Sequence, residues 1–460
     1  MASRRIESPS TVDEALFQTI SDALDGSRIE AVPPKEPSYE VLHYRTGMTN
    51  PRARIAAHPA RPLNVVGAVA RFVWMVAGSN RLHDILYYES KVRDYTDNGL
   101  TVPGSSYGRR LFDPAPGLDQ IHGVIGRLRR DHHTRQAAAV VWAAEDAVRE
   151  SRDIPCTFGM LFHIRGEQLV MCAIMRSNNA FRLLTYNFFE FSLLGETIAA
   201  TLDLPFGEYV HFAGSMHVYD TGEMGATRQV VEDGPGVSVE MPPMPGTDQT
   251  RLAAAERAGD MREQDLATAI GQTTELARLE AQLRHAHNAA DIDSVRADAA
   301  ERLNSYWLGL FNVLLAWGAA KRELPDLVAE VFDQLPEYLR APTRASIARA
   351  MPDLGPAPAA EGDQEAMFDI AEDLPRISSV AAAAAEAEYE ATAKAALQAV
   401  VSYHENVEAL PVADFPKLVD ILTEGGAAMA ARSESPADGT RDDRFSFPVE
   451  TIRAALDQLK

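Results

Sequence analysis

The sequence predicts an α+β fold followed by an all-α C-terminal region, and three observations carry that reading. Between Tyr39 and about Glu240, some segments repeat apolar residues at helical spacing while others are runs of β-branched and large apolar residues. From Asp233 to Asp248 the chain fills with Pro and Gly, as in Gly234-Pro235-Gly236 and Pro242-Pro243-Met244-Pro245-Gly246, which marks a boundary. Beyond it, Ala, Leu, Glu and Arg dominate at helical spacing. At 460 residues the chain exceeds one ordinary core, so more than one domain is expected.

The elements follow in order. Residues 1–38 read as a polar N-terminal arm or short helix, ending in the Pro-rich linker Val32 to Pro37. Residues 39–240 form the mixed domain. Within it, Leu63 to Trp74 is an apolar run of helical length closed by Gly78-Ser79-Asn80. Leu118 to Arg130 places Leu118, Ile121, Val124, Ile125 and Leu128 on one helical face. Gln136 to Ala144 and Cys156 to Met175 read as strands, the second interrupted by a hairpin at Arg165-Gly166-Glu167. Phe188 to Leu202 is helical again, and Tyr209 to Tyr219 is a strand. Residues 250–460 form the helical region, with helices predicted over Leu252 to Arg284, Ile292 to Leu315 and Ser378 to Tyr403, and loops near 352–364 and 433–443. No fixed-period repeat supports a solenoid.

Composition excludes several classes. The net charge of −22, from 44 basic and 66 acidic residues, opposes binding of a nucleic-acid polymer, although a few arginines in one pocket suffice for a mononucleotide. No apolar run approaches the length that spans a bilayer, and no secretory signal follows Met1, so a cytoplasmic protein without a membrane partner is expected. Two cysteines, Cys156 and Cys172, provide neither a disulfide framework nor a complete zinc site, and no metal is expected.

Four groups carry candidate chemistry. Cys156 follows Pro155 at the head of a strand, where a thiol can be exposed and reactive; the competing reading is a small buried hydrophobe, which suits Cys172 better. Arg176-Ser177 offers a guanidinium fork beside a hydroxyl, suited to phosphate, or forms a solvated turn with Asn178 and Asn179. Asn187 enters an aromatic, helix-starting stretch as a lone amide, able to read a pyrimidine edge or to cap the helix. His217 and Tyr219 alternate onto one face of a strand, within reach of a sugar hydroxyl or of each other.

The order and spacing of these groups, with Tyr107-Gly108, Leu118-Asp119-Gln120-Ile121, Thr134-Arg135, Val141-Trp142 and Gly214 to Tyr219, resemble the thymidylate synthase / deoxycytidylate hydroxymethylase superfamily. The resemblance covers about Tyr39 to Glu223 and is most specific from Pro155 to Tyr219. It implies a three-layer α/β sandwich with a mixed sheet and a pyrimidine nucleoside monophosphate as substrate. Cys156 resembles the nucleophile that adds to C6 of the ring, so that C5 can take a one-carbon unit from 5,10-methylenetetrahydrofolate. Arg176 and Ser177 resemble phosphate ligands, Arg135 the phosphate arginine donated by the partner subunit of a homodimer, and Arg45 a flexible-loop phosphate arginine. Tyr107 belongs to the same substrate-binding set. His217 and Tyr219 resemble the pair at the sugar 3′-hydroxyl; Asn187 stands where the family selects its base, asparagine suiting uracil and aspartate cytosine. Asn179 stands at a folate-contacting position.

The pattern also breaks. Arg71 stands where the family has a glutamate three residues before the helix tryptophan, here Trp74, and an arginine cannot act as a carboxylate acid or base. Asn179 replaces an aspartate, Gln136 an arginine, Arg182 to Thr185 a Leu-Gly-x-Pro loop, and Thr157 and Leu161 a histidine and a glutamine. Ser305 to Trp317 resembles a helix in the extended C-terminal part of some phage and bacterial relatives. The sequence thus supports a C5 methyl- or hydroxymethyltransferase acting on a uridylate, or an altered paralogue that binds nucleotide and acts through a protein partner.

Overall fold

The computed structural model describes residues 9–30 and 36–351. The segment Val32 to Lys35, both expected loops at 352–364 and 433–443, and the Ala-rich stretch Ser378 to Tyr403 lie outside the described residues.

Six strands form one mixed sheet: β1 (Ser27–Ile29), β2 (Ser38–Met48), β3 (Ala138–Val140), β4 (Thr157–Arg165), β5 (Gln168–Asn179) and β6 (Phe206–Tyr219). Their order is β1-β2-β6-β5-β4-β3, and every pair is antiparallel except β5 with β6. The β4–β5 hairpin turns on Gly166 and Glu167, whose φ values of 57° and 61° are those a two-residue turn of matching twist requires. A parallel pair needs a long crossover, and helix α6 below supplies it between β5 and β6.

Fourteen α-helices lie among the described residues. Those of the mixed region are α1 (Val12–Leu24), α2 (Val65–Val76), α3 (Leu82–Leu86), α4 (Tyr107–Phe112), α5 (Gln120–Arg130), α6 (Leu184–Thr201) and α7 (Met224–Asp233). Those that follow are α8 (Gln249–Ala258), α9 (Met261–Leu266), α10 (Ala269–Arg284), α11 (Ala289–Arg302), α12 (Ser305–Lys321), α13 (Pro325–Gln334) and α14 (Glu337–Ala350). Thr11 starts α1 with a reciprocal capping box to Glu14, and Val12, Ala15, Leu16, Ile20 and Ala23 of that helix are fully buried.

Three layers result. One sheet face packs on α6, α6 packs on α2, and α10, α12 and α14 cover α2 from the far side. Helix α6 is therefore buried almost all round, which is why its sequence carries no polar face. Three of its hydroxyls are satisfied locally, Ser192, Thr197 and Thr201 donating to carbonyls one turn back, while the buried Thr185 hydroxyl has no partner. Phe72 of α2 stacks on the fully buried Trp307 of α12, ring centroids 6.0 Å apart, so the helices after residue 249 share the core of the sheet region. The Trp and Leu stripe of Ser305 to Trp317 is core packing. Together these make a thymidylate synthase-like α+β fold with an all-α region following it.

Several elements differ from the periodicity reading. The strand expected over Gln136 to Ala144 keeps only Ala138–Val140 in the ladder, because the Val141 and Trp142 N–H groups both turn to the Phe158 carbonyl, at 2.8 and 3.0 Å. The helix expected over Leu252 to Arg284 is three: Gly259 ends α8 at φ 67°, Asp260 caps α9 and Thr268 caps α10. Among the described residues no helix is long and apolar enough to cross a membrane.

Candidate functional site

The site begins where β4 begins. Asp153, almost fully buried, accepts hydrogen bonds from the Gly104 and Ser105 N–H groups, both at 2.6 Å, and from the Ser105 hydroxyl at 2.5 Å. These bonds clamp the loop before α4 onto the chain three residues before Cys156. Gly104 is required at this approach, since a Cβ there would collide with the Asp153 carbonyl. The clamp sets Tyr107, the first residue of α4, beside the thiol; burial raises the Tyr107 pKa, and the Cys156 sulfur adds to that.

Cys156 is half-buried and unbridged. Arg176, across the β4–β5 ladder, donates Nε to the Pro155 carbonyl at 2.9 Å and Nη2 to the Ile154 carbonyl at 3.0 Å, and the same Nη2 stands 3.7 Å from Sγ. Its backbone N–H donates to the Cys156 carbonyl at 2.7 Å, at a bulge between Thr157 and Gly159. The guanidinium also lies 6.0 Å over the Trp142 ring. Burial pushes the Cys156 thiol above its usual value, Arg176 pulls it down, and Asp153 pushes it up; the thiol form prevails at neutral pH.

The sugar-side residues lie close by. The His217 and Tyr219 rings meet edge to face at 5.0 Å, and the Arg182 guanidinium covers Tyr219 at 4.7 Å. Burial lowers the His217 pKa, Glu40 raises it, and Arg182 and Arg176 lower it further, so this imidazole is neutral at pH 7. Ser177 is half-buried on β5, opposite Ser215 in the parallel register. Asn187, buried in the first turn of α6, donates Nδ2 to the Met175 sulfur at 3.5 Å, and Met175 pairs with Thr157, next to the nucleophile. The structure thus gathers Cys156, Tyr107, Arg176, His217, Tyr219 and Asn187.

Three residues stand otherwise. Arg45 does not join this cluster: it lies in the middle of β2, paired with Glu208 at 3.4 Å, and its charge acts on Cys172 rather than Cys156. It occupies a strand instead of a flexible loop, because β2 pairs with β6 from Ser38 to Met48. Arg135 is exposed on the connection between α5 and β3 and is not among the charges acting on Cys156. Asn179 is buried at the end of β5; its Oδ1 accepts the Arg182 N–H at 2.6 Å, while Nδ2 has no hydrogen-bond partner.

A second group adjoins the first, and of its members only Arg71, the break in the family pattern, was singled out from the sequence. Tyr95 feels Arg71, Asp153, Cys156 and Arg182, so it bridges the thiol and the position of the missing glutamate. Arg71 is held by both Glu89 carboxylate oxygens, with contacts of 2.9, 2.8 and 2.5 Å, and lies 5.4 Å over the Tyr186 ring. Burial opposes the Arg71 charge, and Glu89 outweighs burial and raises the Arg71 pKa. Arg61, buried, donates to the Phe181 and Arg182 carbonyls at 2.5 and 2.6 Å, fixing the turn ahead of α6. Glu190, one turn after Asn187, is buried, and its Oε1 has no hydrogen-bond partner. A carboxylate inside the aromatic run Phe188-Phe189-Glu190-Phe191 was the available sequence signal for Glu190; Glu89 gave none.

Residues 43–250 match the family model described as thymidylate synthase. This segment is similar to the thymidylate synthase family. Curated relatives agree at low identity. A deoxyuridylate hydroxymethyltransferase of Bacillus phage SP01 is 28% identical over 185 residues, 37% of this chain and 47% of the relative. A second deoxyuridylate hydroxymethyltransferase, of Pseudomonas phage M6, is 27% identical over 177 residues, 37% of this chain and 49% of the relative. A thymidylate synthase of Francisella philomiragia subsp. philomiragia is 25% identical over 177 residues, 35% of this chain and 63% of the relative. The chain thus spans from about half to under two thirds of these relatives' length. The thymidylate synthase-like domain includes every site residue described above.

Proposed function

We propose that this thymidylate synthase-like domain binds a uridylate-type mononucleotide over Cys156 and transfers a one-carbon unit to C5, giving a methyl or hydroxymethyl product. The observation that carries the reading is the Cys156 sulfur 3.7 Å from the Arg176 guanidinium, on a strand whose next neighbour ties to Asn187. A guanidinium there can anchor a phosphate and favour the thiolate, while the Asn187 amide serves the O4/N3–H edge of uracil. His217, kept neutral, can accept from or donate to a ribose hydroxyl beside Tyr219. The names of the two phage relatives support a deoxyuridylate substrate.

Methylenetetrahydrofolate would supply the one-carbon unit when bound. The unpartnered Nδ2 of Asn179 suits it, because a buried donor without an acceptor matches a pterin carbonyl. Asn179 and Tyr186 are the residues that would hold it, Tyr186 offering a half-buried ring face beside Arg71. The uncovered sheet face, which exposes Leu42, Phe158 and Leu161, fits a homodimer in which a second copy donates Arg135. A cytoplasmic location accords with this chemistry.

The Arg71–Glu89 pair favours a second reading, nucleotide binding without transfer and action through a protein partner, since it removes a carboxylate from the family's position. Release of tritium from C5-labelled dUMP, with and without methylenetetrahydrofolate, separates the two. Folate-dependent release that Cys156→Ala abolishes is expected, and Asn187→Asp should shift release toward dCMP. Tight dUMP binding with no release under any condition would overturn the transferase reading in favour of the second.

A further inference from the structure

Glu190 is one of two buried glutamates on α6; Glu196 is paired with Arg54, whereas Glu190, 5% exposed, has no ion-pair partner among the described residues. Its Oε1 has no hydrogen-bond partner. A buried carboxyl oxygen left without a partner costs free energy unless something else uses it. Three residues separate it from Asn187, so both side chains rise from one face of the helix. The titratable groups acting on or with it are Arg71 of α2, Glu89 after α3, Tyr107 of α4 and Tyr209 of β6. Tyr107 in turn stands beside Cys156, and the Tyr107 ring packs 5.9 Å from Phe191, the residue after Glu190.

The family position for a carboxylate is filled by Arg71, and that arginine is itself neutralised by Glu89. The site nevertheless keeps a carboxyl group with an unpartnered oxygen, on the Asn187 face, near Arg71 and near the Tyr107 that stands beside the thiol. We propose that Glu190 is the proton-handling carboxyl of the nucleotide site, supplying from α6 the function that Arg71 cannot supply from α2. This rests on the function proposed above and names a residue for it.

As the Cys156 sulfur bonds to C6, the C5=C6 π pair shifts through C4 toward O4, and the Glu190 carboxyl gives its proton to O4. The thiol proton leaves to water. When C5 forms its new bond to the one-carbon unit, the electron pair returns and O4 gives its proton back to Glu190; the C5 proton, the one read as tritium, then leaves to water, its electron pair rebuilds C5=C6, and the Cys156 thiolate leaves C6 and takes a proton from water. Burial keeps the carboxyl protonated and able to donate, since it is pushed up to about 8, with Arg71 opposing and Glu89 adding to the rise.

Glu190→Gln tests the proposal in the full chain through three readouts: C5 tritium release from dUMP with methylenetetrahydrofolate, calorimetric dUMP affinity, and melting temperature from pH 5 to 8.5. The expected result is a loss of release of roughly 10²–10⁴-fold with affinity changed by less than about threefold, and loss of the alkaline fall in rate. Melting should add an independent sign. The folded pKa of Glu190 lies above its unfolded value, so its stabilisation is complete below about 4.5 and is lost as pH rises through about 8. Wild type should therefore weaken over that window more than the variant does. If Glu190→Gln does not fold, Glu190→Asp, which withdraws the carboxyl by one methylene, should slow release while keeping the alkaline fall. Unchanged release and pH profile in a folded variant would overturn the role of Glu190 alone. Absence of release from wild type would overturn the transferase reading and this role with it.

Discussion

Cys156 sits in a field of opposed influences: burial and Asp153 hold the proton on sulfur, and the Arg176 guanidinium draws it off. Removing the guanidinium leaves only the first two. Arg176→Ala should therefore raise the apparent pKa for alkylation of Cys156 above its already elevated value, read from iodoacetamide rates across pH; a fall or no change would contradict the assigned geometry. Most of this cluster was legible from spacing, because Cys156, Arg176, Asn187, His217 and Tyr219 lie on consecutive elements whose order fixes their meeting. Arg45 was misplaced for the converse reason. The family resemblance implied a flexible loop there, which its neighbours match poorly, and the long pairing of β2 with β6 makes them strand. The Arg71–Glu89 pair was invisible, since nothing in sequence links residues 18 apart on different elements.

Helix α6 is the element on which the site and the core both depend. Its first turns carry Asn187 and Glu190; further along, Glu196 pairs with the fully buried Arg54 and accepts the Met244 N–H at 3.0 Å. Arg54 also donates to the Pro51 carbonyl at 2.8 Å, so one ion pair ties the segment after β2, α6 and the stretch after α7. Breaking a buried pair strands the remaining charge. Glu196→Ala should cost about 3–5 kcal/mol in urea denaturation, and Arg54→Met with Glu196→Leu together should recover most of it; a loss under about 1 kcal/mol would show the pair to be solvated. The helices were legible wherever apolar spacing and caps agreed, as in α2 and α5. Strand β2 was not, because it mixes charged and apolar residues on both faces and a left-handed His43, with φ 55°, disrupts its alternation.

At the scale of the described fold, helices cover one face of the sheet, and the other exposes Leu42, Phe158 and Leu161. The helices from 249 to 350 complete the core around α2, so the Pro/Gly-rich stretch before them joins parts of one core rather than separating two. Composition signals a change in local structure at that point, and it carries no information on which surfaces later pack together.

The central claim is that a pyrimidine nucleotide lies over Cys156, and differential alkylation tests it most directly. Both cysteines are partly exposed and unbridged, so Cys172 serves as an internal control. Peptide mass spectrometry after brief iodoacetamide treatment should show dUMP slowing modification of Cys156 and leaving Cys172 unaffected. Equal modification of Cys156 with and without saturating nucleotide would contradict the account.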